Sequence, residues 1–385
     1  MNKKKVIFVF YQSKSQANGG INSLWQLIKS FDEIEPILLT NARTSVVEQA
    51  EALGYEFKIT PTMDSFSLRA RIYNVLFWSF TLLKLVSRGN IRAIHFNDIM
   101  ALSYGVFSAK MTNLFKFKAE FKIIFNIRDV FEPGRLYTKK WKFVNYCDEL
   151  IVLSEHMKRE LYQRLPLNNK EYWRNHIHAI YSIVDLQRFS PANETEKNQL
   201  REKLTMDKDH LHWAYVATFN TKKNQLGFIQ AMEQDLKAHD VMIHLVGDIN
   251  EYAQECQLMV EKLGLEAKCI FHGYYKQVED FYKAADLTIV PTKREGLARC
   301  MIESLACGKA VVSFNVSSAE EIIEENKCGI VVPQGVYDSF FQNAYELSNN
   351  KELLKKYSEN GRNLATQLFS KPEIITSYQN IYLST

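Results

Sequence analysis

Two glutamates, Glu295 and Glu303, stand eight residues apart in the stretch PTKREGLARCMIESLACGKAVV, residues 291–312. An apolar, β-branched run at 287–290 precedes them, and a second at 310–312 follows. The spacing predicts a strand, a tight turn at Gly296, a helix beginning near Arg299 that carries Glu303, and another strand. At such a helix start the N–H groups of Leu297, Ala298 and Arg299 and the helix dipole favour an anion without any metal. Glu303 then lies about 7 Å further along, at 1.5 Å rise per residue. The bland alternative makes Glu295 a helix cap and Glu303 an exposed helical residue. Met301, Ile302 and Leu305 beside Glu303 count against exposure.

Other residues of matching chemistry lie at predicted strand ends. The segment 212–225, HWAYVATFNTKKNQ, reads as strand, loop and helix, with Thr218 and Lys223 in the loop. A lysine there either offsets the charge of a leaving diphosphate or is solvated. Gly19 and Gly20 follow the first strand, where paired glycines let backbone approach a ligand or merely make a turn. Asn126, Arg128 and Asp129 end one strand, and His95, Asn97 and Asp98 end another; His95 is equally a cleft residue or a core histidine. Gly247-Asp248 and His272-Gly273-Tyr274 end two more. Asp207-Lys-Asp209 has the form of a metal-binding pair, but it follows a polar helix and is read as a loop. No catalytic metal is expected. Carboxylate, anion-binding helix start, lysine and second carboxylate together suit a ligand with two hydroxylated rings joined by an anionic bridge. A nucleotide-sugar has that layout.

The elements that must position these groups alternate along the 385 residues. Candidate strands fall at 5–11, 35–40, 55–60, 92–96, 122–127, 149–153 and 177–181, then at 212–217, 241–246, 268–271, 287–290, 310–313 and 329–332. Helical patterns separate most of them, for example at 21–31, 222–238, 251–264 and 299–307. This alternation argues parallel sheets covered by helices on both faces. It occurs twice, with a boundary near residues 185–191, and 351–382 reads as two helices broken at Ser370-Lys371-Pro372. Ligands bind beyond the carboxyl ends of such strands, so two facing domains make a cleft.

Composition is that of an ordinary soluble protein, 46% hydrophobic and 24% charged. Six scattered cysteines without a CxxC pair read as reduced thiols. The basic start and its short apolar run at 6–11 read as a first buried strand rather than a leader. The apolar stretch 72–86 is too short to span a bilayer. The net charge of +4 hides an asymmetry: residues 1–190 hold 27 Lys+Arg against 17 Asp+Glu, and residues 191–385 hold 21 against 27. The basic half carries aromatic-rich basic stretches: 69–92 with Phe77 and Trp78, then 115–118, then 139–142. These are either solvated helix faces or a surface that rests on anionic lipid. Nucleic acid is not an expected partner, since no recognised module accompanies the charge.

Taken together, the residues resemble family 4 of the retaining glycosyltransferases. The E-x7-E pattern of REGLARCMIESLACGKAVV and the upstream FYKAADLTIVPT carry most of the likeness. NGGINSLWQLI, CDELIVLSEHMKREL, IYSIVDLQRFSP and VATFNTKKNQLGFIQAM extend it along nearly the whole chain. The resemblance implies an α/β GT-B fold of two doubly wound, Rossmann-like domains facing across a cleft. Residues 1–187 would form the acceptor-side domain, with a terminal helix at 371–385 packing back on it, and 188–370 the nucleotide-sugar domain. Glu295, Lys223 and Arg128 would be the catalytic set. The donor would touch Gly19, Gly20, Thr218, Lys223, Gly247, Tyr274, Arg294, Glu295, Gly296, Leu297, Ala298, Arg299 and Glu303, with Glu295 on the sugar, Glu303 on the ribose and Lys223 on the diphosphate. Three positions depart from the family pattern: Thr218 replaces an arginine, Arg128 a histidine and Ala298 a glycine. Arg294 or Arg299 would replace the charge missing at Thr218.

The activity so implied moves a hexose from a nucleoside diphosphate, commonly UDP, to a hydroxyl with retention, without metal or cofactor. The expected acceptor is a lipid-linked or oligosaccharide glycan of a bacterial surface polysaccharide, such as capsule or lipopolysaccharide. The expected place is the cytoplasm, with peripheral contact to the anionic inner face of the membrane. A non-catalytic GT-B subunit that stabilises an active partner is the rival, and a nucleotide-sugar epimerase of similar architecture a lesser one.

Overall fold

The computed structural model describes residues 3–12, 19–63, 67–114, 121–128, 141–165 and 167–384. The chain divides into two compact units, residues 1–183 with 371–385, and residues 184–370. The division falls at Ile183/Val184, four residues before the expected 187/188. The reason is local: the Val184 N–H donates to the Phe369 carbonyl at 3.1 Å, tying the start of the connection to the end of the helix Lys351–Leu368.

The described residues of the first unit form seven parallel strands: β1 (Lys4–Phe10), β2 (Ile34–Thr40), β3 (Glu56–Ile59), β4 (Ile91–Phe96), β5 (Lys122–Ile127), β6 (Glu149–Val152) and β7 (Ile177–Ala179). Their order is β3-β2-β1-β4-β5-β6-β7. The run Val6 to Phe10 is buried throughout, as a central parallel strand covered on both faces must be. On one face Phe8 meets Phe31 and Tyr382, the latter from the last helix, Lys371–Leu383. That helix is bonded into the unit: Tyr382 Oη lies 2.8 Å from His95 Nδ1, and Asn126 Nδ2 donates to Tyr378 Oη at 3.1 Å. His95 is therefore a core histidine. Burial first, and the Arg128 charge second, depress its pKa to about 3.

The second unit repeats the plan with β8 (Leu211–Val216), β9 (Val241–Val246), β10 (Cys269–Gly273), β11 (Leu287–Val290), β12 (Val311–Phe314) and β13 (Gly329–Val332), in the order β10-β9-β8-β11-β12-β13. All its pairings are parallel. Trp213, Phe228, Phe340 and Phe341 anchor its core. A diagonal chain of imidazoles crosses three of the strands. His212 Nε2 lies 2.9 Å from the Asp207 carbonyl, His212 Nδ1 2.9 Å from His244 Nε2, and His244 Nδ1 2.9 Å from His272 Nε2. A carbonyl only accepts, so His212 carries its proton on Nε2, and each next ring must donate from Nε2 in turn. All three rings are neutral. Burial lowers the pKa of each, that of His244 to about 3.

Candidate active site

In both sheets the strand order reverses direction beside the first strand, between β1 and β4 and between β8 and β11. Crossover helices leave in opposite directions there, and a crevice opens at the carboxyl edge. The loops after β8 and β11 form the rim of the second crevice, and they are stitched together. The Lys222 carbonyl accepts from the Lys293 N–H at 2.9 Å and from Thr292 Oγ1 at 3.0 Å. Asn224 Nδ2 donates to the Pro291 carbonyl and to Tyr337 Oη, both at 3.0 Å. Asn224 sits at φ 69°, a left-handed conformation that asparagine tolerates better than most residues.

This frame brings Lys223 and Glu295 together. Lys223 Nζ forms an ion pair with Glu295 Oε1, and Glu295 is 9% exposed. The lysine backbone is held as well: its N–H meets Asn220 Oδ1 at 2.9 Å, and its carbonyl accepts from the Tyr215 hydroxyl. Glu295 is not a helix cap. The helix Arg299–Ala306 is capped by Ala298, in extended conformation, with no side-chain cap hydrogen bond. Helices following Ser154, Asn169, Asn193 and Asn250 each have their first turn closed by that residue's side chain. The uncapped start therefore keeps an anion-seeking end within the loop that carries Glu295.

Glu303 lies on the same helix, also 9% exposed. Arg299 Nε and Nη2 approach its Oε1 at 3.1 and 2.8 Å, and the buried Tyr282 hydroxyl donates to Oε2 at 3.3 Å. The exposed-residue reading of Glu303 fails, and Arg299 is committed to it by an i,i+4 ion pair. Cys300 is sealed beneath; burial raises its thiol pKa to about 12, with Lys223, Glu295 and Glu303 close enough to act on it. Gly296, Leu297 and Ala298 are buried and Arg294 half-buried in the same loop.

The remaining expected residues divide. Thr218 is exposed, and its carbonyl accepts from Gln225 Nε2 at 3.2 Å. Tyr274 is 73% exposed beyond β10. Gly247 has a packing role: a Cβ there would overlap the Ala217 carbonyl oxygen. His272 is engaged in the imidazole chain. Arg128, in the first unit, donates to Ser182 Oγ at 3.1 Å. Gly19 and Gly20 open the helix Gly19–Ile28, so they are helical residues and not a loop as expected. Asn18, Asp129 and the basic stretch 115–118 lie outside the described residues, as do Lys139 and Lys140. Asp207 makes a turn, with Oδ1 accepting from the Asp209 and His210 N–H groups at 2.9 Å. Among the described residues no group of three His, Cys, Asp or Glu side chains is placed to hold a metal.

Comparison with known proteins adds the family context. A crystal structure of Anabaena Alr3699/HepE in complex with UDP superposes with a TM-score of 0.81 at 17% identity, covering 99% of this chain and all of that one. WaaG, a glycosyltransferase involved in lipopolysaccharide biosynthesis, superposes at 0.72 with 14% identity, covering 99% of this chain and all of that one. The fold is GT-B. Residues 196–364, within the unit that holds Lys223, Glu295 and Glu303, match the model of the Glycosyl transferases group 1 family. Putative glycosyltransferase EpsD of Bacillus subtilis is 29% identical over 247 residues, 63% of this chain and 62% of EpsD. The Escherichia coli UDP-Gal:alpha-D-GlcNAc-diphosphoundecaprenol alpha-1,3-galactosyltransferase is 23% identical over 54% of each chain. The alignments thus span less than two thirds of these relatives.

Sequence reasoning missed Tyr282, Asn224 and the Lys223–Glu295 pair. Tyr282 stood in view within FYKAADLTIVPT, but nothing in spacing shows that its hydroxyl reaches Glu303. The pair joins residues 72 apart and needs the strand order to be known.

Proposed function

We propose that this protein is a retaining glycosyltransferase that moves a hexose from a nucleoside diphosphate, UDP being the expected carrier, to a hydroxyl acceptor. The observation that carries the reading is the uncapped helix start at Ala298, bracketed by Glu295 with Lys223 on one side and Glu303 on the other. The galactosyltransferase activity of the Escherichia coli relative and the UDP bound by a structural neighbour support it. In this reading the diphosphate lies at the helix start and on Lys223. Glu303 accepts ribose hydroxyls through the lone pairs Arg299 and Tyr282 leave it, and Glu295 accepts hydroxyls of the sugar. The bond from the anomeric carbon to the diphosphate oxygen breaks. The acceptor oxygen bonds to that carbon on the same face, and its proton passes to the departing diphosphate. Charge grows on the leaving oxygen, so fixed donors there lower the barrier. Arg294 is the nearest additional cation in sequence, and it would offset the neutral Thr218.

The proposed acceptor is a lipid-linked or oligosaccharide glycan presented at an anionic membrane face. Glu295→Ala and Lys223→Ala test the reading. Each is expected to lower nucleoside diphosphate release from a nucleotide-sugar about 100- to 1000-fold while staying folded. Near-normal turnover by either purified variant removes that residue from the mechanism.

A further inference from the structure

The helix Leu68–Val86 is apolar on both sides, but only one side is packed. Ala70, Asn74, Trp78, Leu82, Leu85 and Val86 are buried, Trp78 against Tyr104 at 5.8 Å between ring centres. Trp78 thus faces the core, contrary to the surface role its basic neighbours suggested. On the opposite side Leu68, Ile72, Leu76, Phe80 and Leu83 follow one another at three- and four-residue steps, and all are exposed, Leu76 by 62% and Phe80 by 69%. Phe77 flanks the row. Phe107 and Met111, one turn apart on the adjoining helix Ile99–Leu114, are exposed too. The outward face of a helix in a soluble unit is normally polar, and exposed apolar residues are normally scattered.

The charges around the row have one sign. Residues 65–97 contain Arg69, Arg71, Lys84, Arg88 and Arg92 and no acidic residue. Arg88 pairs with Glu56, whereas Arg69, Arg71 and Lys84 have no ion-pair partner among the described residues. No described helix is long and apolar enough to cross a membrane. This one buries half its circumference in its own unit.

We propose that this face docks on an anionic lipid surface, with the helix lying in the membrane plane. Leu68, Ile72, Leu76, Phe80 and Leu83 enter the acyl boundary, and Arg69, Arg71 and Lys84 meet the lipid phosphates. Charge complementarity selects this occupant. A symmetric pairing of two copies would set the same cations against each other, while anionic headgroups neutralise them. The inference deepens the membrane contact proposed above and does not depend on the donor site.

The test is sedimentation of the full chain with vesicles of equimolar phosphatidylglycerol and phosphatidylcholine, or of phosphatidylcholine alone, with UDP binding measured in parallel. Wild type is expected to favour the anionic vesicles and to release as salt rises. Leu76→Ser/Phe80→Ser is expected to bind about 30-fold more weakly or worse, at unchanged melting temperature and UDP affinity. Arg69→Ser/Arg71→Ser/Lys84→Ser is expected to lose about 100-fold on anionic vesicles, at about fivefold per cation. Wild type that sediments with neither vesicle overturns the proposal, as does equal binding by both variants. A dimer in light scattering that Phe80→Ser dissolves, without vesicle binding, overturns it in favour of a second copy. Failure of UDP binding with vesicle binding intact would strike the donor reading alone.

Discussion

The two sheets share a strand order but not a carboxyl edge. At the second, Lys223 is held by Glu295, and Glu303 by Arg299 and Tyr282. At the first, Asp98 and Arg128 stand among neutral polar groups, several of which are poorly served. Gln12 Nε2 and Oε1, Thr40 Oγ1, Asn97 Oδ1 and Asn126 Oδ1 are buried without a hydrogen-bond partner. Each such atom costs about 1–3 kcal/mol while unmet. The contrast lies in how charge is held: a preformed ion pair at the second edge, and at the first an acid bound by backbone N–H groups beside unmet neutral donors and acceptors. Beneath this difference the cores agree, since each buries a neutral histidine with a pKa near 3, His95 and His244.

The largest effect that would break the contrast is at Glu303. Glu303→Ala is expected to weaken UDP binding about 10- to 150-fold by calorimetry, the worth of a charge-assisted hydrogen bond. Unchanged affinity would place the ribose elsewhere.

Acid should act on both units, and more on the second, which holds three of the four histidines of depressed pKa. His95, His212, His244 and His272 are neutral when folded, with depressed pKa values, so the unfolded chain binds more protons below its ordinary value of 6.5. The stability they contribute is complete above that pH and is lost as pH falls through the depressed values, about 3 for His95 and His244. The slope is about 1.4 kcal/mol per pH unit for each histidine concerned. Urea midpoints between pH 7.5 and 4.5 check this, and a flat profile would contradict the neutral imidazole chain.

Tyr282→Phe is smaller, about 2- to 10-fold in UDP affinity, since it removes one long hydrogen bond. Smallest in stability is Asn97→Ala, expected to shift unfolding by no more than about 1 kcal/mol because its Oδ1 has no partner to lose. It should impair transfer to acceptor while leaving UDP affinity intact; loss of UDP affinity would erase the division of labour between the edges.

Much of this was legible beforehand. All thirteen expected strands are present within one or two residues, because buried parallel strands write themselves as short β-branched runs between helical patterns. The Glu295–Glu303 spacing located the helix Arg299–Ala306 and its uncapped start, since chain neighbours across a turn stay neighbours in space. What stayed hidden depended on distant partners or on facing. That position 247 has no room for a side chain shows only when the Ala217 carbonyl is seen against it. The segment 68–86 is apolar at nearly every position, so its period could not tell Trp78, which turns inward, from Phe80, which turns out.

The ion pair between Lys223 and Glu295 carries a consequence for selectivity. In the resting protein the two side chains quench each other, so neither stands as a lone charge with little water around it. A visitor that engages only the ammonium, as bare diphosphate would, strands the carboxylate; a neutral sugar strands the ammonium. Under the proposed reading, only a molecule that offers phosphate oxygens and sugar hydroxyls in one piece can part the two without leaving either bereft. The clasp itself would act as a coincidence detector for an intact donor.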